Sequence, residues 1–238
     1  MYRIPFLLAA MTVTLAQPLA AAELQPFSAS FNVTWHGMSA GRSNLELKRL
    51  PDGRWSYGSR SSAQGLFRLA LPAELTSQSV FSIRDGKVVP ERFTGEDGTD
   101  SQRRDQELVF DWERGRVTGI AETKPVDLPL QPGMQDGMSV QVALMQALLT
   151  GNTPSRVLMI DKTKVKEYVY TQEGTATVQT ALGPRQTIIY RSARPDATRG
   201  TWFWCDPTMG YIPVKVERRD GTKVEWSMTL ASATVAAP

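Results

Sequence analysis

Cysteine and histidine each occur once in this chain of 238 residues, as Cys205 and His36. These two side chains could form a thiolate–imidazole pair if the fold brought the ring within hydrogen-bond reach of the sulfur. A lone cysteine is more often a small buried side chain in a strand. The counts exclude an intrachain disulfide, a zinc site with several sulfur or imidazole ligands, and a two-histidine metalloprotease.

Acidic side chains concentrate between Glu96 and Asp100 and recur at Asp105 and Glu107. A calcium loop needs six or more oxygen ligands at a defined spacing, which this run does not supply. The run therefore predicts a polar hairpin tip rather than a metal site. The chain also lacks a nucleophile elbow, a phosphate-binding glycine loop and a dinucleotide fingerprint. We expect a protein that is not an enzyme and that uses no cofactor.

Asp136 and Ser139 begin a segment, residues 136–149, that is rich in Leu, Ala, Met and Gln. This composition predicts a helix of about three turns, with both side chains capping its start and Gly151 ending it. Few polar residues interrupt the segment, so we expect the helix to be buried on most sides. An alternative is that Asp136 and Ser139 lie near a cleft and serve a hydrolase of envelope polymers.

Period-two alternation of apolar and polar residues dominates the rest of the chain. Apolar residues alternate in this way from Phe27 to Trp35, from Leu108 to Trp112 and from Val224 to Leu230. Glycine-containing turn signals such as Asp85-Gly86 and Asp220-Gly221 separate these runs, which is typical of antiparallel hairpins. The sequence predicts an all-β, mainly antiparallel fold: a large curled sheet or open β-barrel or half-barrel, packed on one buried α-helix.

Three segments are predicted along the chain. Residues 1–22 have a basic start, an apolar middle and an A-x-A site, and are predicted to be a cleaved signal peptide. The apolar run is shorter than the ~20 residues of a membrane span, so we do not expect an integral membrane protein. Residues 23–230 are predicted to form a single exported β-rich domain, and residues 231–238 a flexible tail. The net charge of +3, without a dense basic cluster, argues against a nucleic-acid partner.

Several stretches in order resemble a known family. They are Gln135-Asp136-Gly137-Met138-Ser139, Thr201-Trp202-Phe203-Trp204, Tyr211 to Glu217, Gly183 and Asp220-Gly221. Together they resemble the exported Gram-negative proteins called domain of unknown function 3108. The resemblance implies a periplasmic location and a mostly β fold but no activity. The chain departs from the pattern at Ile212, where a leucine is expected, and at Cys205, which weakens the case for a catalytic thiol.

The motif residues Gln135, Asp136, Ser139 and Pro213 are predicted to be structural, with Pro213 holding the C-terminal hairpin. The aromatic and methionine content would let a curled sheet enclose an apolar cavity for a lipid or an acylated chain. The predicted lining is Phe31, Trp35, Met145, Leu148, Trp202 and Trp204. Aromatic rows more often form a solid core. A cell-envelope scaffold that binds a protein partner through a sheet edge is therefore the alternative function.

Overall fold

The computed structural model describes residues 23–99, 101, 103–153 and 155–236. The predicted signal peptide, residues 1–22, lies outside the described residues. The strands are β1 (Phe27–Trp35), β2 (Met38–Arg49), β3 (Trp55–Ala63), β4 (Leu75–Arg84), β5 (Lys87–Glu96), β6 (Gln106–Asp111), β7 (Arg116–Ala121), β8 (Lys124–Pro129), β9 (Arg156–Asp161), β10 (Lys164–Thr180), β11 (Gly183–Ala193), β12 (Arg199–Asp206), β13 (Ile212–Asp220) and β14 (Lys223–Val235). The helices are α1 (Phe67–Ala70) and α2 (Ser139–Leu149), and a 3-10 turn spans Pro207–Met209.

All 14 strands belong to one sheet, in the order β8-β7-β6-β5-β4-β3-β2-β1-β14-β13-β12-β11-β10-β9. The neighbouring strands run antiparallel, as alternating polarity with tight turns predicts. Two meanders meet where β1 pairs with β14, so the first and last strands lie in the middle of the sheet. The sheet curls without closing. The predicted all-β fold with a curled sheet is confirmed.

The gap between the edge strands β8 and β9 is filled by the connector that leads to α2. The amide of Gln135 donates to the carbonyl of Leu158 at 2.8 Å, and the amide of Ile160 donates to the carbonyl of Gln135 at 2.9 Å. Apolar residues of β6–β8 form one buried cluster with Ile160 of β9. The connector and these side chains therefore link the two edges of the sheet, which remains open.

Helix α2 lies inside this curl. Val142 and Met145 pack in the cluster formed by β1–β5 and β12–β14, while Leu144 and Leu148 pack with residues of β10–β12. An apolar helix without a broad polar face is stable only when several sides are covered. Among the described residues, no helix has the length and apolar character to cross a bilayer.

The C-terminal boundary differs from the prediction. Residues 231–235 belong to β14, and Val235 pairs with Phe27 of β1. The small apolar residues that predicted a flexible tail from residue 231 instead satisfy the backbone hydrogen bonds of β1. This pairing corrects the predicted tail boundary.

Candidate functional site

An apolar groove of about 600 Å³ opens at the end of the curl where β1 meets β2 and β3 meets β4. Its volume falls in the range of small-ligand sites. One wall comes from β2 and β3, the other from β1 and β14, and the loop around α1 covers it. The lining residues are Val33, Trp35, Ala40, Gly41, Arg42, Ser43, Leu45, Ser59, Ser61, Ser62, Ala63, Phe67, Leu71, Ala73, Leu75, Met138, Gln141, Trp226 and Met228.

The groove exists because the inward-facing side chains of β2 and β3 become smaller, pair by pair, towards this end. Leu47 faces Tyr57 deep in the core, and the next pairs along the strands are Leu45 with Ser59, Ser43 with Ser61, and Gly41 with Ala63. Only the first of these pairs has two large side chains to fill the interior, since cross-strand partners share a face. A Cβ on Gly41 would lie 2.1 Å from the carbonyl oxygen of Ser62, so the close approach of β2 and β3 there requires glycine.

The opposite wall is built from large side chains. Trp35 pairs with Trp226 and Val33 with Met228 across β1 and β14. Gln141 of α2 contributes an amide group at the floor. The groove therefore joins a small-residue wall to an aromatic and methionine wall, an arrangement that suits a flexible apolar chain.

Asp136 and Ser139 flank the groove residue Met138 in sequence and are fully buried. One carboxylate oxygen of Asp136 accepts from the amides of Met138 (2.8 Å) and Ser139 (2.7 Å), and the Ser139 hydroxyl accepts from the Asp136 amide at 2.9 Å. The other oxygen accepts from the Ser79 hydroxyl of β4 at 2.6 Å. Burial raises the pKa of Asp136, while these hydrogen bonds oppose the rise. The reciprocal contacts form a capping box tied to the sheet.

Gln135 and Pro213, the other two motif residues, lie in the backbone framework. The side-chain amide Nε2 of Gln135 donates to the carbonyl of Val88 at 2.9 Å, which joins the connector to β5. Pro213 faces Cys205 at an irregularity in the β12–β13 ladder, where proline's missing N–H is tolerated.

Of the six predicted lining residues, the structure places Trp35 on the groove. Phe31 is fully buried in the core between β1 and α2. Met145 lies at a second, smaller cavity of about 380 Å³ near Phe27 and Ile212. Leu148 packs with Tyr170, Tyr190 and Cys205.

Trp202 and Trp204 are buried under a layer of charged side chains. Trp202 pairs with Glu217 and Trp204 with Lys215 across β12 and β13. Arg219 stacks on both rings at 4.9 and 5.3 Å, and the Trp202 indole donates to Glu173 at 2.7 Å. These contacts cover both rings within the fold, and neither ring lines the groove.

Glu217 is the buried anion of this layer. Burial opposes its ionisation, but hydrogen bonds and charges of Lys215 and Arg219 outweigh burial and hold the pKa of Glu217 below its ordinary value. Lys215 Nζ lies 2.6 Å from one carboxylate oxygen and Arg219 contacts the other. A carboxylate of this kind stabilises the fold above its unfolded pKa, and the stabilisation disappears as the pH falls through its folded pKa.

Glu217→Gln is therefore expected to lower the free energy of unfolding by about 1 kcal/mol at neutral pH. The difference from the wild type should be constant from about pH 8 to about pH 6 and should shrink below about pH 4. Urea unfolding across this range measures it. Glu46→Gln, which removes an exposed pair with Lys48, is the control and should have almost no effect. A deficit for Glu217→Gln that persisted in acid would contradict the electrostatic explanation.

Cys205 and His36 do not form a reaction centre. Cys205 is fully buried in β12, where burial raises the pKa of its thiol and disfavours the thiolate. His36 lies in the β1–β2 turn with its ring edge against Trp35. Among the described residues, no group of three or more metal-ligating side chains comes together.

The small-residue wall is the part of the site that sequence reasoning missed. The signal is present in β3, whose upper half reads Ser59-Arg60-Ser61-Ser62-Ala63 and has no large apolar residue at an inward position. A strand that faces a core normally carries such residues. The small inward residues in this half of β3 therefore indicate unfilled space on the inner face of the sheet.

Comparisons with known proteins identify a sequence family and one solved structure of similar fold. A family model described as a protein of unknown function (DUF3108) matches residues 30–224. No curated protein sequence matches the chain. The chain is similar to a β-barrel-like DUF1849 protein from Brucella abortus (TM-score 0.58, 13% identity), with 91% of this chain and 100% of that chain covered. It also matches the MucA/MucB complex of Pseudomonas aeruginosa (TM-score 0.40, 13% identity), with 90% of this chain and 53% of that chain covered.

Proposed function

Because the chain belongs to the DUF3108 family of proteins of unknown function, we propose a function from the groove itself: a non-enzymatic periplasmic protein that binds the acyl chain of a lipid or acylated molecule. The observation that carries the proposal is an apolar groove of about 600 Å³ with one wall of small residues and one of Trp35, Trp226 and Met228. Neither the family model nor the Brucella abortus structure indicates a catalytic family.

The polar groups of the groove favour an amphipathic ligand. Gln141 supplies an amide, and Ser59 and Ser61 supply hydroxyl groups, to a lining that is otherwise mostly apolar. A fatty acid satisfies both features, since its chain buries apolar area and its carboxylate can accept hydrogen bonds. The periplasmic location follows from the signal peptide predicted for residues 1–22.

A brominated fatty acid tests the proposal, because bromine quenches tryptophan fluorescence only at close range. Trp35 and Trp226 line the groove, whereas Trp112 lies in the separate cluster of β5–β9. We expect saturable quenching by the fatty acid in the wild type and in Trp112→Phe. The quenching should be largely lost in the double variant Trp35→Phe/Trp226→Phe.

Two results would contradict the proposal. One is the absence of saturable quenching in the wild type. The other is equal quenching in the double variant, which would place the ligand elsewhere. In either case the envelope scaffold that binds a protein partner becomes the leading function, and cross-linking in envelope extracts identifies the partner.

A further inference from the structure

The short helix α1 at the mouth of the groove presents leucines to water. Leu66 and Leu69 are 85% and 84% exposed. Their neighbours Phe67 and Leu71 point the other way and line the groove. Residues three apart share a helix face, so the two leucines form one outward apolar patch on the cover of the groove.

A second pair of exposed apolar residues lies at the same end of the sheet. Trp35 and Met38 flank the β1–β2 turn and are 44% and 58% exposed. The amide of Gln64 donates to the carbonyl of Ala40 at 2.8 Å, which fixes the start of the α1 loop beside β2. We call Trp35, Met38, Leu66 and Leu69 the apolar rim. Apolar residues gathered at one end of a molecule mark a contact surface, whereas single ones do not.

The charges beside the apolar rim identify the kind of surface that it fits. Arg68 lies between the two leucines in sequence, and the exposed Arg42 lies on the outer face of β2, between the inward-facing Gly41 and Ser43. Within the part of the chain that the structure describes, neither arginine forms a salt bridge. Helix α1 has no acidic residue in its first turn. Leucine and tryptophan beside arginine form the composition of an interfacial membrane anchor.

We propose that the apolar rim inserts into the surface of an anionic phospholipid bilayer, with the mouth of the groove facing the lipid. Leu66 and Leu69 then bury their side chains at the level of the acyl chains while Arg68 contacts phosphate groups. The groove opens at this same end, so an acyl chain could pass between bilayer and groove without crossing water. Only the identity of the passing ligand rests on the proposed function, and the bilayer contact is measured separately.

Flotation with vesicles of phosphatidylglycerol and phosphatidylcholine tests the inference. We expect the wild type to float with them. Leu66→Ser/Leu69→Ser should weaken partitioning on the order of 100-fold, given the apolar area that two leucines bury. Arg68→Gln should weaken binding about 5-fold on anionic vesicles and little on neutral ones. Leu182→Ser is the matched control, because Leu182 is 41% exposed in the β10–β11 turn at the opposite end.

Fatty-acid quenching in solution separates the two proposals. The double serine variant should keep both its wild-type melting temperature and its quenching, because its changed residues face away from the groove. Vesicle binding without any quenching would support the bilayer contact and contradict the proposed ligand. A wild type that fails to float, or a double serine variant that floats equally well, would overturn the bilayer contact. So would a dimer that the serine substitutions dissociate, since the apolar rim would then bind a second copy of the chain.

Discussion

Replacing Asp136 with alanine is expected to lower the free energy of unfolding by about 3–5 kcal/mol. The substitution leaves the amides of Met138 and Ser139 and the hydroxyl of Ser79 without their acceptor in a site that water does not reach. For a domain of this size the melting temperature should fall by roughly 10 °C. Thermal unfolding followed by circular dichroism measures the change.

Asp136→Asn provides the matched control for this loss. The asparagine side chain keeps an oxygen for the two helix amides, and the Ser79 hydroxyl can reverse its role and accept from the new amide group. Asp136→Asn should lower the free energy of unfolding by less than about 1 kcal/mol. A stable Asp136→Ala protein that had lost a hydrolytic activity would contradict the capping role and revive the hydrolase alternative.

Ala63→Trp is expected to abolish most fatty-acid binding while the protein stays folded. Ala63 lies at the last pair of the small-residue wall, opposite Gly41, and its side chain points into the groove. A tryptophan there occupies space that the ligand chain would fill. If about four CH₂ groups are displaced, the affinity falls on the order of 100-fold. Titration with the brominated fatty acid measures the loss.

The control for this variant uses the same substitution at another site. Ala181 is exposed in the β10–β11 turn, at the end of the sheet away from the groove. Ala181→Trp should bind the fatty acid as the wild type does. Equal affinity of the two variants would show that the groove is not the binding site, whereas a large fall in the melting temperature of Ala63→Trp would show that the wall cannot accommodate the ring. Ser61→Leu, a smaller change on the same wall, then provides a second test.

The resemblance to the DUF3108 family is confirmed by the match over residues 30–224. The motif at the start of α2 is one of the stretches that carry this resemblance. Asp136 and Ser139 act within a few residues of each other, so their reciprocal hydrogen bonds follow from helix-capping chemistry alone. The link from Asp136 to Ser79, which lies on a different strand, could not be read from the chain.

The tryptophans show a different limit of sequence reasoning. Alternation correctly places Trp202 and Trp204 on one face of β12, but it does not say what covers that face. The cover consists of Arg219 and Lys215 from β13 and Glu173 from β10, which the strand order brings together. Trp35 alternates in the same way, yet its face borders the groove because the inward residues of β2 and β3 near that end, such as Gly41 and Ala63, are small.

The sequence by itself determined the all-β class, the buried helix and its cap, because each depends on periodicity or on hydrogen bonds within a few residues. The tertiary structure decided where space remains inside the curl. That space depends on which side chains face one another from strands far apart in the chain, such as Ala63 and Trp226. The same long-range pairing placed β14 beside β1 as far as its last residue, Val235. It also set the exposed leucines of α1 at the mouth of the groove.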